Sequence, residues 1–435
     1  MSAASWPRAV SVVVVALLIA AVPAAHAAPL RLDDGFGEGG VARVRFKLRY
    51  SAVDLRPLRP ARQPDGKVLV GASGYFDHGN AQILLARFTR RGRPDPTFGH
   101  RGWTHLGLRW NFDPQAVHVQ RDGRILVLGA AGYGPFFYPS PGQLGLARLL
   151  PDGSPDPSFG TKGFMTWNPP WRDDTVMLYA LPGLFVPQAD GRVVAAGFVQ
   201  ETRSAGGRFG AGPQTDLRRV AFVRFSENGS VDESFGHAGV LEHPDDSVYF
   251  QTWARLTDGH LVALAQLGDS TTWLLRRFTP DGALDRGFGQ DGSSRVELNQ
   301  APDFYSTHLA PARDRGLVLI GNDRLNSRAV PIRRILPDGK LDPSFGTACG
   351  RAPRLHLLGG TATSNGGILA TATVYTRPAR ARTVVLRYAS DGCAAGRPLR
   401  LGAATAAPPL LRGRHAALVG GATDDHELTL TRIRR

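Results

Sequence analysis

One phrase recurs six times along this chain: Asp, two residues, Phe-Gly, two residues, Gly. It occupies residues 33–40, 95–102, 156–163, 232–239, 285–292 and, slightly altered, 342–350. The Phe-Gly pairs are separated by 62, 61, 76, 53 and 57 residues. A spacing of about 60 marks each unit as one supersecondary module that buries its apolar face only by stacking on its neighbours. The units run to the end of the chain, so its 435 residues read as one array instead of two or three domains.

Each unit repeats the same order. After the phrase at 95–102 comes a strand-like segment at 103–108, then 115–119, the turn Asp122-Gly123, an apolar strand at 124–129, a loop, and 144–150 before Asp152-Gly153. Asp-Gly between apolar runs signals a hairpin, and a type I′ turn would need positive φ at both central residues. Four strands per unit follow. The apolar strand pairs are 67–72 with 83–88, 124–129 with 144–149, 192–197 with 220–225 and 261–266 with 273–278. The count reaches seven with 317–321 and 331–336, 368–373 and 384–388, and 416–420 and 428–433. A seventh, eroded copy of the phrase lies at 392–401. Seven four-stranded units point to an all-β, seven-bladed β-propeller, whose radial repetition leaves only short edges. The phase supports closure: residues 39–46 form a phrase strand with no unit before it, and 428–433 end on a third strand. Pairing the first with the last completes one blade. An open solenoid is the rival architecture, but it has no use for complementary ends.

The phrase, with the segments Gly-Lys-Val-Leu-Val-Gly at 66–71 and Leu-Ala-Arg-Phe at 85–88, resembles the delta-60 repeat, a β-propeller module of exported bacterial proteins. The resemblance covers nearly all of the chain beyond residue 28 and implies the fold. It brings no activity and no catalytic residue. Cys349 in place of the second Gly, Asp314-Arg315-Gly316 in place of Asp-Gly, and the eroded seventh phrase depart from it.

The repeated residues read as structural. Phe36, Phe98, Phe159, Phe235, Phe288 and Phe345 suit an aromatic wedge against a neighbouring blade. The Asp three residues earlier suits the first position of a turn, with Pro96, Pro157 and Pro343 next. Calcium loops need several oxygen ligands at alternating positions and each phrase offers one acid, so no metal and no cofactor is expected. No G-x-S-x-G elbow or H-E-x-x-H motif is present. His78, His118 and His308 recur with no acid at fixed spacing and read as surface or interface histidines.

Residues 1–27 read as a signal peptide: Arg8, an apolar run at 9–22, then Ala25-His26-Ala27 as the cleavage signal. A membrane anchor is the alternative, but the run is short for a span. The expectation is a single secreted or periplasmic domain over 28–435, monomeric and with no membrane span once the signal is removed. Cys349 and Cys393 lie in successive units near the turn that enters the outer strand, so a disulfide between them is expected, free thiols being the alternative. The formal charge of +15 is nearly all arginine, since lysine occurs only at 47, 67, 162 and 340. A basic exported protein can meet acidic polysaccharide, lipid headgroups or nucleic acid. These arginines are scattered instead of massed in an arm, so no nucleic-acid partner is expected and the excess reads as compositional bias.

The long connections should share one face, at 130–143, 166–175 and 198–219. There the segments entering the innermost strands carry Trp110, Asp113, Trp171, Asp173, Asp174, Tyr249, Asp303 and Tyr305. Rings beside carboxylates suit sugar or peptide binding, whereas as structural groups they would plug a channel mouth and cap turns. Two functions remain: a binding or interaction propeller facing a partner protein or a cell-envelope polymer, or a polysaccharide- or ester-directed hydrolase or lyase using carboxylates from two blades.

Overall fold

The computed structural model describes residues 29–46, 52–76, 81–106, 111–132, 143–167, 176–188, 190–204, 214–244, 248–267, 271–297, 308–312, 314–321, 332–346, 349, 355–375, 381–403, 405–412, 416–423 and 427–434. Over these the chain is all β, and no helix is long and apolar enough to cross a membrane. The proposed leader at 1–27 lies outside them.

Seven antiparallel sheets follow one another along the chain. Blade 2 shows the plan: Asn111–Val119 innermost, then Ile125–Gly132, Gln143–Leu149 and, at the outer edge, Phe164–Trp167 after the Phe-Gly phrase. Blades 1, 3, 4 and 6 repeat this order, and blade 5 shows three strands among the described residues. The innermost strands of blades 2 to 6 touch in succession, Ala61–Arg62 of blade 1 touches Asn111–Val119, and Thr405–Ala406 of blade 7 meets both Ile368–Tyr375 of blade 6 and Ala52–Pro57 of blade 1. The array is a closed propeller.

Closure uses the N-terminal phrase. Arg31–Leu32 and Val41–Arg45 both pair with Glu427–Arg434, through Leu32↔Ile433 and Val44↔Leu428. They supply the outer strands that blade 7 lacks.

The core lies between blades. In blade 1, Val68, Val70 and Ala72 pack toward blade 7, while Leu69 between them packs toward blade 2. Both faces of each sheet are covered, which is why the second and third strands read as unbroken apolar runs instead of alternating. The Asp-Gly turns differ from the type I′ expectation. Gly123 has φ of 87°, but Asp122 is not in the positive-φ region. The Gly123 N–H donates to Gln120 O at 3.1 Å, and the Gln120 N–H donates to Arg124 O at 2.8 Å. This is a three-residue loop, a type I turn followed by a left-handed Gly. The Asp122 carboxylate accepts the Arg124 N–H at 3.0 Å and favours this geometry.

In five of the six phrases an arginine on the third strand bolts the phrase in place. Arg87 donates from Nε to Asp95 at 2.7 Å and from a terminal nitrogen to Thr97 at 3.0 Å, with its guanidinium 4.6 Å from the Phe98 centroid. Its other terminal nitrogen donates to Pro151 O on blade 2. Arg148 treats Asp156, Ser158 and Phe159 alike, and Arg224 does so with Asp232, Ser234 and Phe235. Arg277 pairs with Asp285 at 2.6 Å and stacks on Phe288. At the closing blade Arg432 meets Asp33 at 2.5 Å and stacks on Phe36. The phrase then stitches to the next blade. The Gly99 N–H donates to Asp152 O at 2.7 Å, and Phe98 packs so tightly on Gly153 that a Cβ there would lie 2.7 Å from the ring. Gly153 also has φ of 89°, so only glycine fits this position.

A second cation from the start of the second strand joins the same carboxylate: Lys67 on Asp95 at 2.9 Å, Arg124 on Asp156 at 3.2 Å and Arg192 on Asp232 at 3.0 Å. Burial alone would raise the pKa of Asp95. Hydrogen bonds from Lys67 and Thr97, with the charge of Arg87, overcome that and hold it down at about 2. Asp33, Asp156, Asp232 and Asp342 are lowered too. Between blades 5 and 6 a disulfide joins Cys349 to Cys393, Cα atoms 5.1 Å apart, beside the Gly346 N–H to Asp391 O bond of 2.7 Å.

Three outcomes follow. Deleting residues 33–46 exposes the outer edge of Glu427–Arg434 that Val41–Arg45 covers, and the product aggregates or melts far below the full chain; equal melting temperatures would mean an open array. Carboxylates with folded pKa values below the unfolded value of about 3.9 contribute stability that is fully present above about pH 5 and is lost as pH falls toward about 2. The urea midpoint should therefore drop steeply between about pH 5 and about pH 2.5, and a flat profile contradicts the bolt. Cys393→Ser should lower stability by about 2–4 kcal/mol, and alkylation of the folded protein without reductant should label no thiol.

Candidate functional site

In blades 1, 2, 3, 4 and 6 the turns from first to second and from third to fourth strand share one end of the ring, because the strands are antiparallel. That end is tied down by Asp-Gly loops and arginine bolts. The opposite end carries the connections between second and third strands and those entering the innermost strands. Of the eight residues singled out in the sequence, six precede innermost strands along the chain and two, Asp113 and Tyr249, lie at the start of one.

Two of the eight fall on described backbone. Asp113 lies on the innermost strand of blade 2 opposite Ala130, half-buried, and its carboxylate accepts a bond from Gln115 Nε2 at 3.1 Å. Tyr249 lies opposite Gln266 on Val248–Arg255, the innermost strand of blade 4, next to a bulge between Phe250 and Thr252. Trp110, Trp171, Asp173, Asp174, Asp303 and Tyr305 lie outside the described residues. The strands they lead into, Asn111–Val119, Val176–Pro187 and His308–Pro311, are innermost strands of blades 2, 3 and 5.

The expected connection at 198–219 is largely strand. Val193–Ser204 and Gln214–Phe225 pair continuously from Val193↔Phe225 to Ser204↔Gln214. Val176–Pro187 accompanies them out to Val176↔Arg203. The fourth strand stops at Arg219↔Pro244, so three strands of blade 3 continue past it as an arm on the long-connection face. In blade 2 the equivalent pairing ends at Gln143↔Ala131. The sequence at 198–204 and 214–220 mixes β-branched residues with polar ones. Gly-rich composition is confined to 205–213 and masked this pattern.

Two histidines that sequence reading gave no joint role open neighbouring innermost strands on this face: His308 in blade 5 and His356 in blade 6. Burial, then the charge of His356, pushes the His308 pKa down to about 4, so its ring is neutral at neutral pH. Among the described residues no group of three or more His, Cys, Asp or Glu could hold a metal ion. The repeat carboxylates are held by the bolts and are not available as general acids or bases.

Three stretches, residues 63–98, 120–159 and 256–288, match a family described as a domain of unknown function (DUF5122) beta-propeller. Among curated proteins none matches the sequence. A protein of unknown function from Dyadobacter fermentans DSM 18053 is similar in structure at 11% identity and a TM-score of 0.43, over 91% of this chain and 99% of that one. The polysaccharide lyase Uly1 aligns at 11% identity and a TM-score of 0.42, over 92% of this chain and 93% of that one. The Penicillium chrysogenum alpha-L-arabinanase complexed with arabinobiose aligns at 12% and 0.41, over 90% and 98%. These likenesses are too distant to bear on chemistry.

Proposed function

We propose that the chain is an exported binding propeller of the delta-60 type, secreted or periplasmic after loss of residues 1–27. It presents its long-connection face to a partner protein or a cell-envelope polymer. The observation that carries this reading is the arm of blade 3. Ladder pairing past the fourth strand is extra surface that the ring does not need for closure, and it stands on the face where Trp110, Trp171 and Tyr305 precede innermost strands. Rings supply apolar contact area at low entropic cost, and neighbouring acids such as Asp113, Asp173, Asp174 and Asp303 orient hydroxyl or amine groups. The opposite face spends some of the chain's arginine on bolts.

Changing Trp110, Trp171 and Tyr305 together to Ala should weaken capture of cell-envelope glycan or protein by about tenfold or more, with the melting temperature unchanged. Unchanged capture would count against the reading. An activity panel on polysaccharides and esters should show no turnover, and turnover lost on changing Asp173 and Asp174 to Asn would move the function to a hydrolase or lyase.

A further inference from the structure

At the tied-down end of the ring, residues from the ends of the innermost strands and the adjoining turns of blades 1 to 4 border an open cavity of about 940 Å³. That is the size of a small-ligand site. Arg62, Arg121 and Arg255 line it from three different blades and are exposed to it. Acids also stand in the wall, but other arginines take them: Arg124 holds Asp122 at 2.6 Å and Glu227 at 3.8 Å, and Arg192 holds Asp190 at 3.3 Å. Among the described residues Arg62, Arg121 and Arg255 enter no such pair. The wall's four arginines, Arg192 included, outnumber its three acids, Asp122, Asp190 and Glu227, so the cavity keeps a net positive charge.

The wall also carries neutral polar groups. Gln63 is only 6% exposed, and its Oε1 meets no hydrogen-bond partner; the Oε1 of Gln120 is buried and unpartnered as well. His118 lies beside them, its pKa pushed down to about 4 by burial and then by the charge of Arg255, so it adds a neutral ring and no charge. An amide end offers both a donor pair and an acceptor, so whichever way it is turned it calls for a group that both gives and takes hydrogen bonds. A hydroxyl does that, whereas sulfate only accepts. Guanidinium groups in turn select planar carboxylates, which they hold in bidentate fashion. A neutral sugar would leave them unanswered.

We propose that this cavity is a second binding site, for an acidic saccharide whose carboxylates are held by Arg62, Arg121 and Arg255 and whose hydroxyls meet Gln63 and Gln120. It lies at the opposite end of the ring from the arm of blade 3, and its occupancy does not depend on what that face binds.

Titration calorimetry with a galacturonic acid trimer, against maltotriose and sodium sulfate, tests it. The acidic trimer should bind. The double variant Arg62→Gln, Arg255→Gln should weaken it by about tenfold or more while melting as the parent does, since both side chains are exposed. Should that variant melt lower, Arg121→Gln alone must still weaken binding. Changing Trp110, Trp171 and Tyr305 to Ala should leave the affinity as it was, so failure of the other site is told apart from failure of this one. The inference is overturned if the acidic trimer fails to bind, if maltotriose binds as tightly, if sulfate competes at equal affinity, or if the arginine variants bind normally.

Discussion

The structure depends on a guanidinium clamped between a carboxylate and an aromatic ring. In blade 1, Arg87 is 4% exposed and Asp95 3% exposed, so this is a buried ion pair. Such pairs add little net stability over well-packed apolar residues, but losing one partner leaves an uncompensated buried charge. Their use here is positional. The planar fork of Arg reaches the phrase carboxylate, the hydroxyl two residues on and a carbonyl of the next blade at once, which the ammonium of Lys cannot do. Angular spacing between blades is thereby set by hydrogen-bond lengths, while apolar packing fills what remains.

Variation in the bolt shows how it adapts. At the start of the second strand blade 4 uses His260, whose Nε2 lies 3.5 Å from Asp285. Blade 5 has Gly316 there and, among the described residues, no second cation. Its Arg334 swings to Asp314 at 2.5 Å and keeps Asp342 only at 3.8 Å. The disulfide between Cys349 and Cys393 stands at this blade's junction with blade 6, where the bolt is loosest.

The blade number and order were legible because both phrase and apolar pairs recur at nearly fixed spacing, and a repeat constrains topology more than composition does. Ring closure was legible from the phase of the repeat alone. The arginine bolt was not, because one Arg per unit among changing neighbours looks like bias in a basic chain. Its signal was the constant eight-residue step from Arg87 to Asp95, Arg148 to Asp156, Arg224 to Asp232 and Arg277 to Asp285. The arm of blade 3 was hidden by the glycines of 205–213, and the turn type by a local carboxylate bond that no dipeptide rule includes. Of the candidate face, only Asp113 and Tyr249 can be placed on described backbone. The cationic cavity at the other end has no motif: Arg62 and Arg255 hold the same place in their repeats, just before Gln63 and Leu256, but two of seven units make no pattern and Arg121 is offset from them.

Pairing of Arg31 with Arg434 also fixes an order of events in time. Within a blade, strands meet across loops on the order of 10 residues, and such hairpins form in microseconds. The closing pair must join ends on the order of 400 residues apart, and the extra loop entropy is about 3 kcal/mol by the logarithmic law. That excess is modest once the blades have formed, because a stacked arc already curves the two ends toward each other. The ring is therefore a late product of local folding, and until it closes the chain carries two open sheet edges of its own making.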